Sequence, residues 1–238
     1  MHARVADHAP GNRTPVVLVH GMALSGTYMM PTAELLAETH PVYVPDLPGF
    51  GDSDKPGRVL DVPALADALH AWMAAVDLPR ASLLGNSFGC QIIVDFAARY
   101  PERVARTVLQ GPTTPPEERS WFWQFVRWRQ NSPYNPPSME EIADADYAKT
   151  GLVRALRTFQ VSLDDAVEDK LPQVQAPSLV VRGSEDPICS QAWAEEVTRR
   201  LPRGRLNVIP DVAHTLVYTA APELVEVSRP FLFEDGPT

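Results

Sequence analysis

Short apolar runs separated by longer amphipathic stretches set the rhythm of this chain. Runs at 16–20, 41–45, 81–85, 104–110, 178–183 and 205–209 are too brief for buried helices, and they predict β-strands. Several segments between them carry apolar residues at three- and four-residue spacing, which predicts helices. Asp61 and Pro63 open one such helix, as cap and first-turn residue, and it runs to about Val76. Cys90 to Tyr100 forms another, stopped by Pro101. Pro222-Glu223 begins a closing helix that packs Leu224, Val225, Val227 and Phe231 on the sheet. Nearly continuous apolar strands alternating with helices predict an α/β fold, with a mostly parallel central sheet covered by helices on both faces.

The alternation breaks between Pro112 and Pro172. There Trp121, Phe122, Trp123, Phe125 and Trp128 crowd one segment, and the breaker-rich stretch Asn131-Ser132-Pro133-Tyr134-Asn135-Pro136-Pro137 follows. Part of this aromatic set is expected to pack onto the core. Trp121, Trp123, Phe125 and Trp128 are the candidates for lining an apolar substrate pocket. Arg127 and Arg129 read as solvated helix-surface residues, with carboxylate binding as the alternative.

Composition narrows the picture. At 238 residues and 45% hydrophobic, the chain suits one large α/β domain with a buried core. A net charge of −9 argues against nucleic acid and anionic membranes as partners. The first residues contain no apolar run of signal-peptide type, and no stretch approaches about 18 consecutive apolar residues. The expectation is a soluble, cytoplasmic protein, monomeric or homodimeric. Its two cysteines, Cys90 and Cys189, show no metal or disulfide spacing and read as buried thiols.

Candidate chemistry begins at Gly85-Asn86-Ser87-Phe88-Gly89, directly after the strand at 81–85 and at the start of a helix. A serine between two glycines at a strand-to-helix turn is the pattern of a nucleophile elbow, with small neighbours allowing strand and helix to approach. A serine hydroxyl at neutral pH needs a histidine base, a carboxylate to orient it and backbone N–H groups facing the oxyanion. Of the six histidines, His214 alone follows the elbow, in a loop after the strand at 205–209. Asp186 lies just beyond the strand ending at Gly183, where parallel sheets place their chemistry. Asp211, three residues before His214, and Glu117 or Glu118 are the alternatives for the acid. Phe88, the residue after the serine, supplies one oxyanion N–H, and the loop after the strand at 16–20 supplies the other.

His20-Gly21-Met22, the stretch Asp46 to Pro56, the elbow, Gly183-Ser184-Glu185-Asp186 and His214 together resemble the α/β-hydrolase superfamily, in its capped esterase and C–C-hydrolase-like branch. The motifs span nearly the whole chain in the family's order. The resemblance implies Ser87, Asp186 and His214 as catalytic residues, Met22 as the second oxyanion donor and His20 as a structural residue. It also implies a helical cap over 113–172, inserted into a core of 1–112 and 173–238. The glycines of Asp46 to Pro56 lack the Lys-Ser/Thr ending of a phosphate loop, so they read as a turn shaping the site. So few residues precede the strand at 16–20 that only one short strand near Val5 fits where the family has a hairpin, and the sheet is expected to lack its first edge strand.

The activity implied is hydrolysis of small to medium, largely apolar carboxylic esters through an acyl-enzyme, without metal or organic cofactor. Hydrolysis of a C–C bond in a meta-cleavage product is the alternative, although Thr215-Leu216 stands where those enzymes often carry a tryptophan. Lactones and thioesters suit the same constellation, and so does a small-molecule receptor that retains it. Dehalogenases and epoxide hydrolases usually place a carboxylate where this chain has Ser87.

Overall fold

A computed structural model describes residues 1–6 and 13–233 of the chain. The strands are β1 (Ala3–Ala6), β2 (Val16–Val19), β3 (Val42–Pro45), β4 (Ala81–Asn86), β5 (Val104–Gln110), β6 (Ser178–Gly183) and β7 (Gly204–Ile209). They form one sheet in the order β1-β3-β2-β4-β5-β6-β7. All neighbours run parallel except β1, which pairs antiparallel with β3, Ala3 opposite Pro45. Among the described residues, β1 is the edge on that side. The chain leaves β2 for β3 on one side and returns to β4 on the other. Ser87 therefore follows the strand at this switch of direction, where open α/β sheets place their ligands.

The helices are α1 (Met30–Ala37), α2 (Val62–Ala75), α3 (Phe88–Arg99), α4 (Trp121–Asn131), α5 (Pro137–Thr150), α6 (Leu152–Asp164), α7 (Val167–Lys170), α8 (Gln191–Arg200), α9 (Leu216–Thr219) and α10 (Ala221–Phe233). Asp61 caps α2, its side chain accepting the Ala64 N–H at 2.9 Å. Alternate residues of β2 face opposite layers. Val17 and Val19 join Leu65, Leu69, Ile92, Phe96 and Trp193 from α2, α3 and α8. Val16 and Leu18 join Leu36, Leu224 and Phe231 from α1 and α10. Among the described residues, no helix is long and apolar enough to cross a membrane. Cys90 and Cys189 are buried free thiols, and burial pushes both pKa values up, so they stay protonated and inert.

His40, after α1, is buried, and burial with Arg13 and Arg229 pulls its pKa down from 6.5 to about 4. Burial likewise lowers the pKa of His20. Unfolded chains take up protons at these positions that the folded protein refuses, so stability falls as pH drops from about 6.5 toward 4. Thermal melts at pH 7 and pH 5 should show this loss, and His40→Gln should show a smaller one. An equal loss in both proteins would remove His40 from the account.

Candidate active site

The elbow is built by close packing. A Cβ added at Gly89 would lie 2.2 Å from the Val19 carbonyl oxygen, and one at Gly85 would lie 2.9 Å from the Gly89 carbonyl carbon. With both side chains absent, α3 starts hard against the ends of β2 and β4. Ser87 itself sits at φ 57°, ψ −122°, a left-handed turn that costs a non-glycine residue ~1–3 kcal/mol. The surroundings hold it there: its N–H donates to the Gln110 carbonyl at the end of β5, at 2.9 Å.

His214 and Asp186 meet across two loops. The Asp186 Oδ2 lies 2.8 Å from His214 Nδ1, and both side chains are buried. Oδ1 of Asp186 accepts the N–H groups of Ile188 and Cys189, at 2.8 and 2.9 Å. Arg182, at the end of β6, braces the acid loop by donating to the carbonyls of Asp186 and Cys189, at 3.1 and 2.9 Å. Gly183 lets the acid loop approach the histidine loop, since a Cβ there would meet the Val212 carbonyl at 2.1 Å. Gly111, at φ 58°, leaves room for the pair itself, because a Cβ there would stand 2.8 Å from His214 Cε1. Nε2 of His214 is buried and has no hydrogen-bond partner among the described residues. The rival acids are placed differently: Asp211 is exposed, and Glu118 accepts from Arg127 Nε at 2.8 Å.

A run of hydrogen bonds passes beneath the serine. The Gly21 N–H donates to Tyr28 Oη at 2.7 Å, and that hydroxyl donates to Asn86 Oδ1 at 2.6 Å. Asn86 Nδ2 donates to Gln110 Oε1 at 2.6 Å, and Gln110 Nε2 to the His214 carbonyl at 2.8 Å. Burial raises the Tyr28 pKa, so the hydroxyl keeps the proton that it donates. His20 is a strut: Nδ1 lies 2.8 Å from the Gly21 carbonyl and Nε2 accepts the Leu47 N–H at 2.9 Å.

A cavity of about 530 Å³ is bordered by Met22, Ser87, Phe88 and His214. Phe88 is the first residue of α3, so its N–H belongs to the group without an intrahelical acceptor. Helices α4, α5 and α6 supply much of the remaining wall. Trp121, Phe125 and Trp128 line it from α4, and Leu156 and Phe159 from α6. Trp123 does not. It is 44% exposed and stands edge-on to Phe122, because it is rotated about 200° around the helix from Trp121. Of the four α4 aromatics expected to line the pocket, Trp121, Phe125 and Trp128 do so and Trp123 does not. Neither Arg127 nor Arg129 lines the cavity, whereas Glu140 and Asp144 on α5 do.

For a metal, His2, Asp46 and Asp52 bring ligand-type atoms within 4.8 Å of one another. The Asp46 oxygens already accept from Arg4 Nη1 at 2.9 Å, Gly26 N at 2.8 Å and Asp52 N at 3.0 Å. A guanidinium at this place makes the cluster a staple of the loop. Sequence reasoning missed Tyr28, Gln110, Gly111 and the bracing by Arg182. Of these, only Gly111 carried a signal, as a glycine directly at the end of a central strand.

Comparison with known proteins bears on the fold. A model of the alpha/beta hydrolase fold matches residues 14–137. A haloalkane dehalogenase of Mycobacterium marinum is 26% identical over 92% of this chain and 85% of its own. Among solved structures, a thermophilic esterase from Thermogutta terrifontis, with malate bound, superposes with a TM-score of 0.81 at 25% identity, covering 97% of this chain and 92% of the other. An enol-lactonase from Burkholderia xenovorans shares the fold, with a TM-score of 0.82 at 19% identity over 98% and 96% of the two chains. The chain belongs to the α/β-hydrolase fold family.

Proposed function

We propose that this protein is a serine hydrolase of small to medium, largely apolar carboxylic esters, with residues 113–172 forming a helical cap over the site. The observation that carries the reading is a serine held in a left-handed turn at the edge of an aromatic-walled cavity that is also lined by a histidine whose Nδ1 meets a buried carboxylate. His214 takes the proton from Ser87 as the serine oxygen attacks the ester carbonyl. The Met22 and Phe88 N–H groups stabilise the oxyanion, and Asp186 fixes the tautomer and orientation of the imidazole. His214 then gives the proton to the leaving alcohol. Water, activated by the same histidine, attacks the acyl-enzyme and restores the serine. All the groups used come from one chain, and no step calls for a metal or organic cofactor.

The similarity to the esterase supports this reading, and the serine separates it from the dehalogenase relative. Displacement of halide by a serine oxygen would leave an ether, which this machinery does not cleave. A carboxylate nucleophile would leave a hydrolysable ester. A fluorophosphonate probe tests the reading without knowledge of the substrate. Intact mass should show one adduct per wild-type chain and none on Ser87→Ala. A folded wild type that stays unlabelled would count against an activated serine.

The wall also sets a charge preference. Glu140 and Asp144 line the cavity and, among the described residues, no lysine or arginine does, so an anionic acyl group meets acidic residues and no cation. The p-nitrophenyl hemisuccinate ester should show kcat/KM roughly 10-fold below that of the butyrate, and Glu140→Gln with Asp144→Asn should narrow the gap. Equal rates for the two esters in wild type would remove the charge preference.

A further inference from the structure

The loop carrying the Met22 amide runs from the end of β2 to a short 3-10 turn at Gly26–Met29. Its conformation is not one its own residues prefer: Ala23 is buried at φ 60°, in the region that favours glycine. On the N-terminal side of Met22, the core holds the loop through Tyr28 Oη, which accepts the Gly21 N–H, and through His20 Nδ1, which meets the Gly21 carbonyl. On the C-terminal side, the holding groups come from α5. Oδ2 of Asp146 accepts the Ser25 N–H at 2.7 Å, and Oγ1 of Thr150 donates to the Ala23 carbonyl at 3.1 Å. Asp146 and Thr150 are four residues apart, on one face of the helix, and both are buried. Neither lines the cavity.

We propose that Asp146, with Thr150 beside it, is a positioning residue for oxyanion stabilisation: α5 clamps the Ala23–Ser25 backbone and so aims the Met22 N–H at the reacting carbonyl oxygen. This rests on the esterase reading, in which Met22 supplies one of the two oxyanion donors. The bond from Ser25 to Asp146 ties the chain two residues beyond the strained Ala23, and the bond from Thr150 fixes the plane of the peptide that follows Ala23. Removing either lets the Ala23 turn relax, and the amide one residue away rotates with it. A donor displaced in this way still leaves the apolar wall intact, so substrate binding is spared while transition-state stabilisation is lost. The clamp also joins two parts of the fold that differ in role, because α5 belongs to the insertion and the loop to the core. Oxyanion stabilisation is therefore complete only when the insertion is seated.

The test is steady-state hydrolysis of a p-nitrophenyl ester by Asp146→Ala, expressed per active site titrated with a fluorophosphonate. The expected result is a kcat lower by about 10- to 100-fold with KM within about twofold. Affinity for an aliphatic trifluoromethyl ketone, whose serine adduct places an oxyanion in the same position, should weaken by the same factor. Asp146→Asn, which keeps an acceptor for the Ser25 N–H, should recover most of the loss. Thr150→Val removes only the bond to the Ala23 carbonyl and reads the clamp separately if Asp146→Ala does not fold; its kcat should fall severalfold. The proposal is overturned if kcat per site stays within about twofold in a folded Asp146→Ala or, where that variant does not fold, in Thr150→Val. It is also overturned if the loss lies in KM alone, or if asparagine is no better than alanine. Failure of the esterase reading is separate, because it would appear as hydrolysis that survives in Ser87→Ala.

Discussion

Alanine at position 87 is expected to lower ester turnover by on the order of 10⁴-fold or more while leaving the fold intact. Ser87 is the group that forms the acyl bond in the proposed mechanism, and its hydroxyl takes no part in the hydrogen bonds that set the elbow. Those run through its backbone N–H, at 2.9 Å from the Gln110 carbonyl, and through the close approach of Gly89 to β2. The variant should melt near wild type and still bind product-like ligands. His214→Ala should be comparably inactive, and the double variant should lose little more, because the two groups act as a unit. Steady-state rates on a p-nitrophenyl ester, corrected for spontaneous hydrolysis, provide the check. A folded Ser87→Ala protein with wild-type turnover would end the serine-hydrolase reading.

The second large effect is expected from one methyl group at a position that touches no substrate. Gly111→Ala should reduce kcat by about 10²-fold or more and destabilise the fold by ~1–3 kcal/mol. Two causes act together. The residue sits at φ 58°, and its new Cβ would stand 2.8 Å from His214 Cε1, 2.9 Å from His214 Nδ1 and 3.2 Å from Asp186 Oδ2. The imidazole cannot simply step aside, because its Nδ1 is tied to Asp186 and the Asp186 carboxylate is held by two backbone N–H groups. Gly57→Ala is the control, since a Cβ there meets nothing within 4 Å. Slowed fluorophosphonate labelling in Gly111→Ala, with Gly57→Ala unchanged, is the expected pair of results. Wild-type labelling in Gly111→Ala would mean that the histidine loop yields more easily than its hydrogen bonds imply.

The strands were legible because parallel strands buried on both faces must be apolar throughout, and six runs marked them to within a residue or two of their ends. Ser87, Asp186 and His214 were legible as candidates for a different reason: each stands beyond a strand, and Asp186 and His214 meet at 2.8 Å because β6 and β7 are neighbours. Tyr28, Gln110, Asp146 and Thr150 were hidden. Each is a single polar residue within or beside an ordinary apolar pattern, and its partner lies far away in sequence, 121 residues in the case of Ser25 and Asp146. No local spacing encodes such a contact. The aromatic segment was half legible, because composition showed that α4 was unusual, but only the helix phase separates Trp121, Phe125 and Trp128 on the cavity side from Trp123 on the outer side.

The hydrogen bonds beneath the serine all point the same way, from the Gly21 amide through Tyr28, Asn86 and Gln110 to the His214 carbonyl. Dipoles aligned head to tail polarise one another, so each bond is stronger for the presence of the rest. Their common direction also leaves each amide a single orientation, because turning Asn86 over would set two acceptors, or two donors, face to face. The loops carrying Gly21, Ser87 and His214 are thereby fastened to one another, and single bonds from the insertion add to this, Asn131 of α4 accepting the His214 N–H at 3.2 Å and Asp146 of α5 the Ser25 N–H at 2.7 Å. The apolar lining residues Trp121, Phe125, Trp128, Leu156 and Phe159 take no part in this run of bonds, so the shape of the cavity can change one side chain at a time while the alignment beneath Ser87 stays as it is.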